Sequence, residues 1–150
     1  MIAFPDTSFL CSLYRQQVHS PRVIAYLHAR PGALDVSSLL LLEFRQSVRL
    51  QVRLNLKDKT KGYSHQEGDA MLRALQSDLA TGEVNTVPAD WSDVYRIAEG
   101  LSGRYTQLNG HRLADILHVA TALHWGAAEF LTFDANQKLL AEAEGMNVAF

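Results

Sequence analysis

Four acids occupy positions from which they could share a hard cation: Asp6, Glu43, Asp115 and Asp134. Asp6 follows a short apolar run, Met1–Pro5, and Asp134 closes the run Leu131-Thr132-Phe133-Asp134. In open parallel sheets ligands bind beyond the carboxyl ends of the strands. If these two runs are neighbouring strands, their carboxylates meet at one sheet edge. Asp115 falls in the first turn of an apolar helix, and Glu43 sits inside Leu39-Leu40-Leu41-Leu42-Glu43-Phe44. A buried carboxylate without a partner is costly, and a metal ion removes that cost. Four carboxylates and no soft ligand favour Mg²⁺ or Mn²⁺. Such a site activates water and neutralises charge developing on a phosphodiester. Thr7, Ser8 and Thr132 supply hydroxyls for the carboxylates, for bound water or for substrate.

Each acid also has an ordinary role open to it. Asp6 and Asp134 are both well placed as helix N-caps, and Asp115 interacts favourably with a helix dipole. Glu43 could pair with Arg45 or Arg112. The histidines offer a rival chemistry, because Asp115 and His118 are three apart on one helix. A zinc site needs three well-placed ligands, and neither HxxxH nor HExxH occurs, so His118 reads as a packed core histidine ahead of a ligand. No GxxxxGK[ST], GxGxxG or GxSxG pattern is present. A phosphatase working through an aspartyl intermediate would want a second acid two residues after Asp6, where Ser8 stands.

A basic stripe accompanies the acids. Arg45, Arg49 and Arg53 recur every four residues and so line one helical face. Lys57, Lys59 and Lys61 extend the charge against one acid, Asp58. The stripe is either a solvated face or a track leading a phosphate backbone toward Glu43, with salt-sensitive contacts.

The elements that must position these groups alternate. Strands are expected at Met1–Pro5, Ala33–Val36, Glu83–Val87, Glu129–Phe133 and Asn147–Phe150. Helices are expected at Phe9–Gln17, Pro21–Ala29, Leu39–Leu56, Ser64–Leu79, Pro88–Ser102, Arg112–Trp125 and Asp134–Glu144. Leu42, Val48, Val52 and Leu56 carry the helical period of the third helix. Ser64 and Glu67 have the capping-box pattern. Gly103–His111 reads as a loop, and Leu113, Ile116, Leu117, Val119, Ala120 and Leu123 as buried. Apolar positions of Phe9–Gln17 and Ser64–Leu79 suit either a dimer face or the core. Short apolar strands alternating with helices imply an α/β fold with a mostly parallel sheet of four to five strands.

The bulk properties agree. The chain has 150 residues, 47% hydrophobic and 20% charged, with a formal net charge of −2. This fits one domain with a core that needs no staples. The pI of about 6.3 counts mildly against a general nucleic-acid binder. The single cysteine, Cys11, excludes an internal disulfide framework and a cysteine-based zinc site, and suits a reducing cytoplasm. Neither a secretory leader nor a membrane span is expected.

Together these motifs resemble PIN-domain ribonucleases, especially the VapC-type toxins of bacterial toxin–antitoxin pairs. The resemblance runs over essentially the whole chain. Its anchors are Phe4-Pro5-Asp6-Thr7-Ser8, Leu42-Glu43-Phe44, the Arg112–Ala122 segment around Asp115, and Leu131-Thr132-Phe133-Asp134. It implies a three-layer α/β/α fold, Mg²⁺- or Mn²⁺-dependent endoribonuclease activity and frequent homodimers, with a small antitoxin that blocks the site. It assigns the metal to Asp6, Glu43, Asp115 and Asp134, with Thr7 or Ser8, and Thr132, in support. The residues themselves offer Arg45, Arg49 and Arg112 as candidate RNA contacts. One departure stands out: many members carry a further acid three residues after Asp134, where this chain has Gln137, with Asn136 beside it. A catalytically weak module that binds RNA or a protein partner is the alternative.

Overall fold

The computed structural model describes residues 1–150. The chain divides into two compact units, Met1–Phe9 with Val87–Phe150, and Leu10–Thr86.

The first unit is built on a parallel three-stranded sheet in the order β1 (Ala3–Pro5), β4 (Glu129–Leu131), β5 (Asn147–Val148). β1 and β4 are direct neighbours, with Pro5 opposite Leu131. Helices α5 (Trp91–Leu101), α7 (Leu113–His124) and α8 (Ala135–Ala143) supply the rest of its core. β4 is buried on both sides, as an interior parallel strand should be. Phe4 and Phe130 stack with ring centroids 5.6 Å apart, and Trp125 lies 5.2 Å from Phe4. Val119 and Ala120 of α7 are fully buried in the same cluster. Leu113 departs from the expectation of burial: it is 75% exposed. It is the first residue of its helix, so no preceding turn covers it.

The expected loop at Gly103–His111 is largely helical. A π-helical turn, Ser102–Thr106, continues α5 and leads into a single turn, α6 (Gln107–Asn109). Gly110, at φ 70°, ends the run. Arg104 Nη2 and the Tyr105 hydroxyl, both 2.8 Å from Glu144 Oε1, tie the π turn to the end of α8. These tertiary contacts stabilise a segment whose glycines and polar residues read locally as a loop.

The second unit holds most of α1 (Thr7–Tyr14), with α2 (Ser20–Ala29), α3 (Ser38–Lys57), α4 (His65–Thr81) and the parallel pair β2 (Leu34–Val36) and β3 (Val84–Thr86). All five expected strands form and all pair in parallel, as a three-stranded and a two-stranded sheet. Ser37 caps α3 by accepting from the Leu40 amide at 3.0 Å, and Ser64 and Glu67 form the expected capping box. The buried stripe of α3 is Leu40, Leu41, Phe44 and Val48, whereas Leu42 and Leu56 are exposed. Phe9 and Leu10 of α1, and Met71 and Leu75 of α4, are buried and serve the core. Gly62, at φ 59°, lets the loop after α3 fold back: a Cβ there would stand 2.0 Å from the Gln51 carbonyl oxygen. That loop presents Lys59 and Lys61 at the surface.

Candidate functional site

Because β1 and β4 end side by side, the residues that follow them meet. The Asp6 amide donates to the Leu131 carbonyl at 3.0 Å, which extends the ladder one residue beyond the strand. The Asp6 side chain is fully buried. Its Oδ1 accepts from the Ser8 hydroxyl at 2.6 Å and from the Phe9 amide at 3.0 Å, and Oδ2 accepts from the Thr132 hydroxyl. The amide bond makes Asp6 a cap for α1, as its position after a strand allows.

The two hydroxyls also reach the backbone around the second acid. Thr132 Oγ1 accepts from the Asp134 amide at 2.9 Å, and Ser8 Oγ accepts from the Phe133 amide at 2.9 Å. Asp134 caps α8 through Oδ1 alone, which takes the amides of Asn136 at 2.8 Å and Gln137 at 3.0 Å. One hydroxyl–carboxylate network therefore joins Asp6 to the backbone at Asp134. Thr7 stays outside it: its Oγ1 is buried with no hydrogen-bond partner. Of the three hydroxyls, those of Ser8 and Thr132 contact the Asp6 carboxylate.

Asp115 is 1% exposed and closes a capping-box-like contact at the start of α7. The Arg112 amide donates to its Oδ2, and the Arg112 guanidinium reaches both carboxylate oxygens at 3.3 Å. The Arg112 side chain is 74% exposed, so the guanidinium covers Asp115 from the solvent side. His118, one turn on, is fully buried with its ring 6.1 Å from Phe4. It is packed in the core, and its electrostatic influence on Asp6 opposes the effect of burial there.

Burial decides the electrostatics of Asp6. Loss of solvent raises its carboxyl above the usual aspartate range, against the opposing pull of Ser8, Thr132, the Phe9 amide and His118. The hydroxyls and the amide carry no charge, so the ionised form lacks a strong cationic partner among them.

In the second unit, Glu43 is half-buried in the second turn of α3, and Arg45, Arg49 and Arg53 follow it along the same helix. Arg49 and Arg53 are exposed and Arg45 is half-buried.

The donor set fits a hard divalent cation. Asp6, Asp115 and Asp134 offer only oxygen, and Asp6 gains ionisation from a positive charge. Asp134 caps its helix through one oxygen only. Gln137, in the first turn of α8, is 4% exposed with its side-chain carbonyl oxygen unpartnered. In the first unit no three of the ligating side chains stand close enough to share one ion. The structure thus unites Asp6 and Asp134 through Thr132 and Ser8, and joins Asp115 to Arg112. Spacing alone does not select that ion pair, because nothing in it distinguishes Arg112 on Asp115 from Arg112 on substrate.

The profile of the PIN domain matches residues 3–143. The chain belongs to the PIN domain family. No curated protein matches it. Among solved structures, this PIN domain is similar to FitAcB from Neisseria gonorrhoeae, at 21% identity and a TM-score of 0.66 over 99% of this chain and 96% of that one. It is similar to VapC20 from Mycobacterium tuberculosis, described as a sarcin-ricin loop cleaving toxin, at 19% identity and 0.63 over 91% and 93%. It is also similar to VapBC2 from Rickettsia felis bound to a promoter DNA fragment, at 14% identity and 0.67 over 99% and 97%. At these identities the likeness establishes the fold.

Proposed function

We propose that this PIN domain is a metal-dependent endoribonuclease that hydrolyses RNA phosphodiester bonds, the toxin of a toxin–antitoxin pair. The observation that carries the reading is Asp6. It is a fully buried carboxylate at the carboxyl end of the sheet, fixed by Ser8, Thr132 and the Phe9 amide and penalised by burial when ionised. Asp6, Asp115 and Asp134 would hold Mg²⁺ or Mn²⁺. When bound, such an ion activates water and offsets charge developing on the phosphodiester.

The chain's own residues do the rest. Thr132 and Ser8 fix the Asp6 carboxylate, so its orientation is set before any ligand arrives. Arg112 is exposed enough to meet a phosphate as well as Asp115, and Arg45 and Arg49 offer further phosphate contacts. Family membership and the likeness to the VapC20 toxin support the toxin reading, and the likeness to a toxin–antitoxin complex from Klebsiella pneumoniae supports an antitoxin partner. We place the protein in the cytoplasm as a homodimer. No helix is long and apolar enough to cross a membrane.

The test is cleavage of RNA by purified protein with Mg²⁺ or Mn²⁺ and with chelator. Cleavage is expected only with metal and is expected to be lost in Asp6→Asn and Asp115→Asn. Equal cleavage under chelation, or full activity in both variants, rejects the reading. A second reading, a PIN-like module that binds RNA or protein without cutting, is favoured by Gln137 in place of an acid and by carboxylates not yet grouped on one point. Calorimetric Mn²⁺ titration separates the two, since RNA affinity without metal binding supports the module.

A further inference from the structure

A cavity of about 560 Å³ opens in the first unit between α5, the π turn and the start of α7. Its walls are mostly apolar, with Tyr95, Leu113 and Ile116 among them, and Glu99, Thr106 and His111 supply polar groups. His111 is 6% exposed, yet neither ring nitrogen has a hydrogen-bond partner. Thr106 Oγ1, in the π turn, is also buried and unpartnered. Buried polar groups are nearly always paired, so each exception calls for an explanation. Here three unpartnered atoms belong to two residues that line one cavity. The turn that carries Thr106 is π-helical, a local distortion frequent at functional sites.

The chemistry of the lining selects the ligand. No lysine or arginine lines the cavity, and Glu99 does, so phosphate is disfavoured. A neutral imidazole presents one donor and one acceptor, and a threonine hydroxyl presents both. The complement is a flat, neutral, largely apolar body whose edge carries donors and acceptors, and a nucleobase has that form. The cavity size is within the usual range for small-molecule sites. Leu113, Ile116 and Leu117 share the face of α7 that lines the cavity, and Asp115 lies on the other side of that helix.

We infer that this cavity holds one unstacked base of an RNA strand, read by His111 and Thr106. Splayed bases of single-stranded RNA are commonly read in this way, by edge hydrogen bonds against aromatic and apolar surfaces. The inference rests on the nuclease reading for the origin of the base, whereas the cavity's preference for a base stands separately.

The test uses the isotope-labelled full chain in chelator, titrated with AMP, CMP, GMP and UMP, and with inorganic phosphate as a separate arm. The His111 ring and Thr106 amide resonances are followed by NMR. Saturable shifts are expected with one or two of the four nucleotides and none with phosphate. They should weaken about fivefold in Thr106→Val, the value of one hydrogen bond, and vanish in His111→Leu. No response at His111 to any nucleotide, or an equal response to phosphate, overturns the inference whether or not the protein cuts RNA. Persistent shifts in a protein that cleaves nothing sink the nuclease reading and leave the cavity assignment standing. Metal-dependent cleavage with the same base preference in wild type and Thr106→Val does the reverse. Concentration-dependent self-association that Thr106→Val abolishes, seen by sedimentation, would make the cavity a contact between copies and also overturns it.

Discussion

Burial and ionisation oppose each other at Asp6. Its folded-state carboxyl holds a proton to higher pH than the ordinary value of 3.8, because burial penalises the charge. Below that value both folded and unfolded chains are protonated, and the residue's favourable contribution is fully present. As pH rises, the unfolded chain ionises first, and stability falls until the folded carboxyl has ionised too. Metal-free protein should therefore lose stability from weak acid toward neutrality, and a divalent cation should restore it. Asp6→Asn removes the charge while an amide can still serve Ser8 and Phe9. In chelator at neutral pH its Tm should exceed wild type, by about 2–4 °C per kcal/mol relieved, and added Mn²⁺ should raise it no further. A lower Tm than wild type under chelation would show that the carboxylate is stabilising as it stands. Thr132 is the complementary case, since it joins Asp6 to Asp134 without charge. Thr132→Val should keep the fold and lower metal affinity about 10- to 100-fold, the usual cost of losing a residue that orients a ligand. Calorimetry reads that directly, and an unchanged affinity would remove Thr132 from the site.

The elements were legible wherever the signal was local. Ser64 and Glu67 announce the start of α4, Pro5-Asp6-Thr7 the end of β1, and the apolar run before Asp134 a buried strand. Each signal is read within a few residues of sequence. The π turn was not legible, because Arg104 and Tyr105 hold it to Glu144, 40 and 39 residues away. The unpartnered atoms of His111 and Thr106 were likewise hidden. The hold of Arg112 on Asp115 is local, but spacing permits it without selecting it. Glu144 exposes the tertiary origin of the π turn to experiment. Burial pushes its carboxyl up, but Arg104 and the Tyr105 hydroxyl outweigh that and hold it below the ordinary 4.5. A lowered folded value contributes stability above the unfolded value, and this is lost as pH falls through the folded one. Arg104 is more than half exposed, so solvent screening limits the ion pair. Glu144→Gln should cost about 1 kcal/mol at neutral pH. The gap to wild type should close in acid below 4.5. Denaturant melts at the two pH values measure this, and a gap that stays constant would rule out the ion pair as its source.

At the scale of the whole molecule, net charge and local charge disagree. The chain sums to −2, yet Arg45, Arg49, Arg53 and Lys57 recur on successive turns of α3, with Lys59 and Lys61 in the loop that Gly62 folds back against it. The remainder is correspondingly acidic, so a polyanion meets one attractive face rather than a uniform field. Electrostatic capture of single-stranded RNA releases about 0.7 counterion per phosphate neutralised, which sets the dependence of log affinity on log salt. If Arg45, Arg49 and Arg53 each meet a phosphate, replacing all three with glutamine should flatten that slope by about 2. Affinity at low salt should fall for every sequence alike, since phosphate contacts carry no base information. Filter binding of two unrelated oligonucleotides in chelator, across a salt series, supplies both quantities. A slope equal to wild type would return the stripe to an ordinary solvated face. A sequence-dependent loss would instead show that α3 reads bases.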